Sequence, residues 1–537
     1  MRPVISRSKR VCVRNLSPHS PCCCAKKQAM LSRRLAPVGG GCARLLSSSA
    51  PAASGGGSIS AGGGDTLGKR LLKLIYPKRS AVVVLRRWAE EGRTVQKYQL
   101  NRVVRELRKY RRFKHALEIC EWMRTQPDMK LLPGDHAVHL DLVAKLRGLA
   151  SAEKFFEDMP ERAKGPSTCT ALLHTYTQHG ARDKAEAMLR EMGRAGHLVC
   201  ALPFNHMMSL YMSAGDLDKV PETIKQLRRY AVPDLVTYNI WLTYCSRKSS
   251  VKGAERVYGL MQDDGVVPDW MTFSLMASIY VNAGMRVEGR DALVEMERRA
   301  SRKERAAYSS LLTLYASLED RGNLDRVWGK MRETFRKFSD AEYKCMLTSL
   351  TRFGDIAAAE GVYAEWESQS GTKDSRIPNT ILSFYIKNGE MEKAESFLQC
   401  IVGKGVKPSY STWELFVWGY LGNNERVGKV LDCVKKALST LEKWEPNPEL
   451  VAAIFSHVEK EGDIEAAEEL LVVLRGAGYV TTEIYNSVLR TYAKAEMMPL
   501  IIDERMGEDK VSMDEQTVRL LKLTSKYPIG EVSTVMS

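Results

Sequence analysis

Several features that would mark an enzyme, a disulfide-stapled protein or a membrane protein are missing from this chain of 537 residues. No apolar run approaches the roughly 18 residues that a membrane-spanning helix needs; the densest short one is Ala81 to Leu85. No membrane insertion is therefore expected. The twelve cysteines include no Cys-x-x-Cys pair. Five lie before residue 65, and Cys120, Cys169, Cys200, Cys245, Cys345, Cys400 and Cys433 are scattered. A disulfide framework or a zinc site needs clustered spacing, so these thiols read as reduced core residues. There is no P-loop, no His-Glu-x-x-His and no zinc-deaminase pairing. His136 and His139 are near neighbours, but nothing beside them completes a site. No catalytic residue, metal, cofactor or small-molecule substrate is expected.

Acidic residues are absent from residues 1–64, which hold ten Lys or Arg. With its Ser, Ala and Gly content, this segment has the composition of an organelle transit peptide. Seven of the ten basic residues are Arg, which favours a mitochondrial address over a chloroplast one. The formal net charge of +16 is uneven: residues 65–116 carry sixteen basic and four acidic residues, leaving 54 basic against 60 acidic from residue 117 onward. The high pI is thus a property of the N-terminal fifth, and bulk charge is no argument for a nucleic-acid partner.

What the sequence does have is a period. Tyr176, Tyr211, Tyr280, Tyr315, Tyr385, Tyr420 and Tyr492 are separated by 35, 69, 35, 70, 35 and 72 residues. Gly180, Gly215, Gly284, Gly354, Gly389 and Gly462 keep that register, as do Ala185, Ala254, Ala359, Ala394 and Ala467. Units start near 97, 133, 166, 201, 235, 270, 305, 340, 375, 410, 448 and 482. In these units the glycines take the fifteenth place and the alanines the twentieth. Such self-similarity is the mark of a repeat protein.

Each unit reads as two antiparallel helices. In the clearest, residues 235–247 form the first and Ala254, Val257, Tyr258 and Met261 lie on one apolar face of the second. A lone hairpin cannot bury that face, so neighbours must stack. The expected fold is an all-α, right-handed α-solenoid of about twelve hairpins spanning 97–510. A basic helical cap precedes it at 65–96, and a capping helix and tail follow at 511–537. Asn323 to Val327 arrive about three residues late, which predicts a longer first turn in the unit at 305.

The units lack the Trp-x-x-Leu-Gly opening of tetratricopeptide repeats. They open as Val236-Thr237-Tyr238-Asn239 or Ile484-Tyr485-Asn486 and close as Val232-Pro233-Asp234 or Val267-Pro268-Asp269. With a 35-residue period this resembles the pentatricopeptide-repeat family, in its P-type class. The resemblance implies a plant organellar protein that binds single-stranded RNA and stabilises, splices, processes or promotes translation of transcripts, one base per repeat. It implies that the fifth and last residues of a unit read the base edge, and that the second packs on the base faces. Carried over, Asn205 with Asp234 and Asn239 with Asp269 would prefer uridine, and Asn379 with Ser409 cytidine. Thr170 and Asn486 take the same fifth place, and Leu202, Val236 and Met271 the second. Ala137, Lys344, Glu414 and Ala452 match no rule.

A second series stands at the thirteenth place: Lys109, Lys145, Arg247, Arg352, Lys387, Lys460 and Lys494. A regular cationic row suits a phosphate backbone, although basic residues also favour helix C-termini for their own sake. The segment Lys69 to Lys114 is a third candidate. It carries Arg86, Arg87, Arg105, Arg108, Arg111 and Arg112 with Trp88 and Tyr110 interleaved, a pattern that could hold RNA without sequence preference. The competing expectation is a protein–protein scaffold, since the solenoid proper is net acidic and solenoid grooves also take peptides.

Overall fold

The computed structural model describes residues 65–529 apart from 75, 77–78, 303, 370–371, 424–426 and 441–446. The expected leader, 1–64, lies outside the described residues. Among them all regular structure is helical except an isolated bridge between Met498 and Ile529. They fall into two compact units divided between Leu210 and Tyr211.

In the first unit, α1 (Leu67–Leu72) and α2 (Ala81–Glu90) precede three hairpins. These are α3 (Lys97–Lys109) with α4 (Phe113–Thr125), α5 (Pro133–Arg147) with α6 (Leu149–Glu157), and α7 (Pro166–Gln178) with α8 (Arg182–Arg194). The division falls within α9 (Leu202–Ala214). The second unit continues with α10 (Lys219–Tyr230), α11 (Leu235–Arg247), α12 (Val251–Asp263), α13 (Trp270–Asn282) and α14 (Arg286–Arg299). Next come α15 (Arg305–Ser317), α16 (Arg321–Thr334), α17 (Asp340–Arg352), α18 (Ile356–Gln369), α19 (Pro378–Lys387) and α20 (Met391–Gly403). It ends with α21 (Tyr410–Gly422), α22 (Val427–Leu438), α23 (Pro448–Glu461), α24 (Ile464–Gly476), α25 (Thr482–Lys494), α26 (Ile502–Glu508) and α27 (Glu515–Thr524).

Within each unit the stacking follows chain order. First helices pack on the next first helix, α5 on α7 in one unit and α11, α13, α15, α17, α19, α21, α23, α25 and α27 in succession in the other. This is an α-solenoid. Its core runs unbroken from Tyr238 to Met506 in the second unit. The twentieth-place Ala185, Ala254, Ala359, Ala394 and Ala467 are fully buried, where a methyl group is all the helix crossing admits.

The fifteenth-place glycines close the first helices. Gly180, Gly215, Gly284, Gly354, Gly389 and Gly462 all have φ between 67° and 85°, the left-handed conformation that glycine enters without a Cβ penalty. In all six of these repeats the next amide bonds back across the turn, as Met285 N–H to Tyr280 O at 2.9 Å. Where glycine is missing, another residue takes the same conformation: Arg111, Ser249, Glu319 and Glu496 have φ of 57°, 50°, 58° and 55°. This corrects the expected long turn in the unit at 305. Helix α16 starts sixteen residues after α15, as α12 does after α11, because Glu319 keeps the turn.

The recurring tyrosines tie one repeat to the one before. Tyr420 OH donates to Glu395 at 2.6 Å and Tyr492 OH to Glu468 at 2.8 Å, and Tyr385 reaches Glu360 likewise. Each acid is the twenty-first residue of the preceding unit, on its second helix. Tyr176 with Glu153 and Tyr280 with Glu255 repeat the contact, and burial with the nearby carboxylate raises both phenol pKa values, that of Tyr176 to about 12. The cysteine expectation needs a correction. Cys120, Cys169, Cys245 and Cys433 are buried, but Cys200 and Cys400 are exposed, because one lies in a linker and the other on α20 away from its buried residues Met391, Ala394 and Ile401. No disulfide forms among the described cysteines.

Candidate nucleic-acid interface

The chain builds one polar joint repeatedly along its first helices. At Asp234, Asp269, Thr481 and Asp514 the residue that closes a unit is the N-cap of the next first helix, and its side chain accepts from the backbone N–H three residues on. Asp269 Oδ1 accepts from Thr272 N–H at 2.9 Å, and Asp269 N–H donates to Thr272 Oγ1 at 3.3 Å. Asp234 and Thr237 form the same box, as do Asp514 and Thr517 at the start of α27. The fifth-place asparagine of the preceding unit completes the joint. Asn239 donates from Nδ2 to Asp269 Oδ1 at 3.3 Å and accepts at Oδ1 from Thr272 Oγ1 at 2.8 Å. Asn486 does the same with Asp514, at 3.2 Å, and Thr517, at 2.7 Å. Asn379 accepts from Thr412 at 2.9 Å and donates to Ser411, which in turn bonds Ser409. The carboxylate and hydroxyl leave only one way round for the amide.

The joint is largely closed. Asn205, Asn239 and Asn486 are 1%, 8% and 0% exposed; Thr170 is buried, with its hydroxyl on Pro166 O. Asn379, Asp234, Asp269 and Ser409 are half-buried, as are the second-place Leu202, Val236 and Met271. The fifth-place amides are therefore anchored groups. At Asn239 and Asp269 one amide hydrogen and Asp269 Oδ2 carry no hydrogen bond among the described residues.

The sequence reading missed Asp514. It caps α27, which no second helix follows among the described residues, so counting of places stops at Thr481. The Asp-x-x-Thr spelling shared by Asp234, Asp269 and Asp514 was the available signal.

All seven thirteenth-place cations are exposed. Arg247 bonds Met212 O and Arg352 bonds Ser317 Oγ, each on the preceding first helix. Lys145 pairs with Asp141 at 2.9 Å and Lys109 lies 4.0 Å from Glu106. Lys387, Lys460 and Lys494 make no ion pair among the described residues. His139 is buried against Phe155, ring centroids 4.4 Å apart. His174 and His206 face each other at 3.3 Å between their Nδ1 atoms. No three His, Cys, Asp or Glu side chains among the described residues gather as a metal site would require. No described helix is long and apolar enough to cross a membrane.

Repeated helical hairpins with capped, asparagine-stitched first helices define a class of α-solenoid proteins, and sequence comparison says which. Residues 233–282 match the PPR repeat family, residues 188–248 the pentatricopeptide repeat domain, and residues 167–197 and 377–406 the PPR repeat. A mitochondrial pentatricopeptide repeat-containing protein of Arabidopsis thaliana is 47% identical over 473 residues, covering 88% of this chain and 89% of that protein. Another from Arabidopsis thaliana is 36% identical, covering 78% and 81%. The chain belongs to the pentatricopeptide-repeat family. Among solved structures, a maize pentatricopeptide repeat protein aligns with a TM-score of 0.48 and 16% identity, over 83% of this chain and 68% of that one.

Proposed function

We propose that this protein is a non-catalytic, sequence-selective single-stranded RNA-binding protein that acts on mitochondrial transcripts, stabilising, splicing, processing or helping to translate them. The observation that carries the reading is the joint itself. At Asn239 and Asp269 a fixed amide and a fixed carboxylate stand side by side at the fifth and last places, where this family reads bases. The remaining amide hydrogen donates and Asp269 Oδ2 accepts. That pair complements the Watson–Crick edge of uracil, which offers a carbonyl oxygen beside an N–H. Asn205 with Asp234 would serve a second uridine, Asn379 with Ser409 a cytidine, and Asn486 and Thr170 their own bases. Leu202, Val236 and Met271 would lie on the base faces. The thirteenth-place row from Lys109 to Lys494 would follow the phosphates. Family membership and the Arg-rich, acid-free residues 1–64 support the mitochondrial setting.

The test is a gel shift of the purified protein with 30-nucleotide oligo(U), oligo(C) and oligo(A) at about 150 mM salt, since affinities without a stated salt mean little. Oligo(U) should bind tighter than oligo(A). Changing Asn205→Thr with Asn239→Thr should move preference from uridine toward guanosine. Equal binding of all three homopolymers, or an unmoved preference, would sink the base-reading assignment. A tight protein partner with no bound RNA would favour the scaffold instead.

A further inference from the structure

The structure shows which cations of the basic N-terminal segment hold the fold. Arg112 donates to Leu72 O at 2.7 Å, Arg108 to Asp141 at 2.7 Å, and Lys97 pairs with Asp135 at 2.6 Å. Arg70 bridges Asp65 and Glu91. Trp88 is buried, with the Arg70 and Arg93 guanidinium groups 5.0 and 4.5 Å from its ring centroid. That aromatic is committed to the cap, so the interleaved aromatic–basic pattern of the sequence is partly a packing pattern.

What remains is narrower. On α3, Tyr98, Arg102, Arg105 and Lys109 are all exposed, Tyr98 at 74%. Their spacings of four, three and four residues place them within about 60° of arc, a straight stripe about 16 Å long. Arg102 and Arg105 make no hydrogen bond or ion pair among the described residues. Lys109 has one long ion pair, 4.0 Å to Glu106 one turn before it. Helix α3 otherwise buries Leu100, Val103, Val104 and Leu107 on one side, and Lys97, Asn101 and Arg108 face α5 on the next. The stripe is therefore a third face, which neither core nor neighbour uses. Lys109 is also the first of the thirteenth-place row.

We propose that this stripe is a sequence-independent clamp for single-stranded RNA, extending the bound strand beyond the base-reading repeats. Arg102, Arg105 and Lys109 neutralise phosphates, and Tyr98 offers a ring for a base to stack on. The occupant follows from charge complementarity: three exposed cations in one line, two of them unpaired among the described residues, with an exposed ring suit a flexible polyanion carrying aromatic bases. The clamp rests on the RNA-binding reading above. Its signature differs from base reading, because phosphate contacts weaken all sequences alike and lower the salt slope.

The experiment compares the full-length protein with the variant Arg102→Gln/Arg105→Gln/Lys109→Gln, and with Tyr98→Ala, on 30-nucleotide oligo(U) and oligo(A). Each lost phosphate contact should lower the slope of log K against log salt by about 0.7 on a single strand, so the triple variant should lose about 2. Tyr98→Ala should weaken both probes about tenfold. The oligo(U) to oligo(A) ratio should stay fixed in both. An unchanged slope, or a collapse of that ratio, overturns the clamp while leaving base reading standing. Loss of binding to phosphatidylserine vesicles with RNA binding intact overturns it in favour of a lipid surface. If the unmodified protein binds neither probe, both proposals fall. All four side chains are exposed, so circular dichroism and the melting temperature should match the unmodified protein.

Discussion

A buried tyrosine hydroxyl or asparagine amide destabilises a fold unless it finds a partner, and this protein meets that demand across repeats. Removing the Tyr420 hydroxyl in Tyr420→Phe leaves Glu395 with one donor fewer, and unfolding free energy should fall by about 1 kcal/mol. An unchanged urea midpoint would contradict the stitch. Asp269→Ala strips the N-cap of α13 and should also cost about 1 kcal/mol. Asp269→Asn, which keeps a side-chain oxygen for the cap, should recover most of it. Two histidines give the fold a pH dependence of definite sign. Burial lowers the pKa of His206 to about 3, helped by facing His174, and that of His139 to about 4. Both start near 6.5 in the unfolded chain. Between these values the unfolded state holds protons that the folded state does not. Stability is therefore complete above about pH 6.5 and declines as pH falls, by up to about 1.4 kcal/mol per pH unit for each histidine. Melting curves from pH 7.5 to 4.5 should show it, and His206→Asn should flatten the decline; an identical slope in that variant would refute the assignment.

At the scale of the helical element, the hairpin depends on a backbone conformation more than on a side chain. Four units place Arg111, Ser249, Glu319 or Glu496 where the others place glycine, and each such residue carries a steric penalty of about 1–2 kcal/mol. Ser249→Gly should therefore stabilise the protein by about 1 kcal/mol. Gly284→Ala should destabilise it by a similar amount although nothing lies within 4 Å of the added methyl. Opposite signs for these two changes in thermal melts would be hard to explain by packing. The late arrival of Asn323 in the sequence looked like an insertion because the eye follows glycine; the turn follows φ.

At the scale of the whole molecule, contacts link each hairpin chiefly to its neighbours, so stability is close to a sum of local terms. Unfolding in urea should not be one step. Tryptophan fluorescence and far-ultraviolet circular dichroism should give transitions that fail to superimpose. Coincident curves would argue for a cooperativity that nearest-neighbour stacking does not supply.

The period, the two-helix unit and the small residue at the helix crossing were legible in the residues alone, because they arise from local geometry repeated at fixed spacing. The order of the fifth-place amides was not. Asn239 and Asn486 look alike to free surface polar groups in a one-dimensional reading; stacking the next repeat brings Asp269 and Asp514 against them and fixes each amide. Tertiary structure also decided which of the sixteen basic residues of 65–116 are spent on the fold. Arg108 and Arg112 found partners some 33 and 40 residues away, while Arg102 and Arg105, on the same helix as Arg108, found none among the described residues. Sequence spacing sets which face a side chain takes, but only the packed neighbour determines whether that face has company.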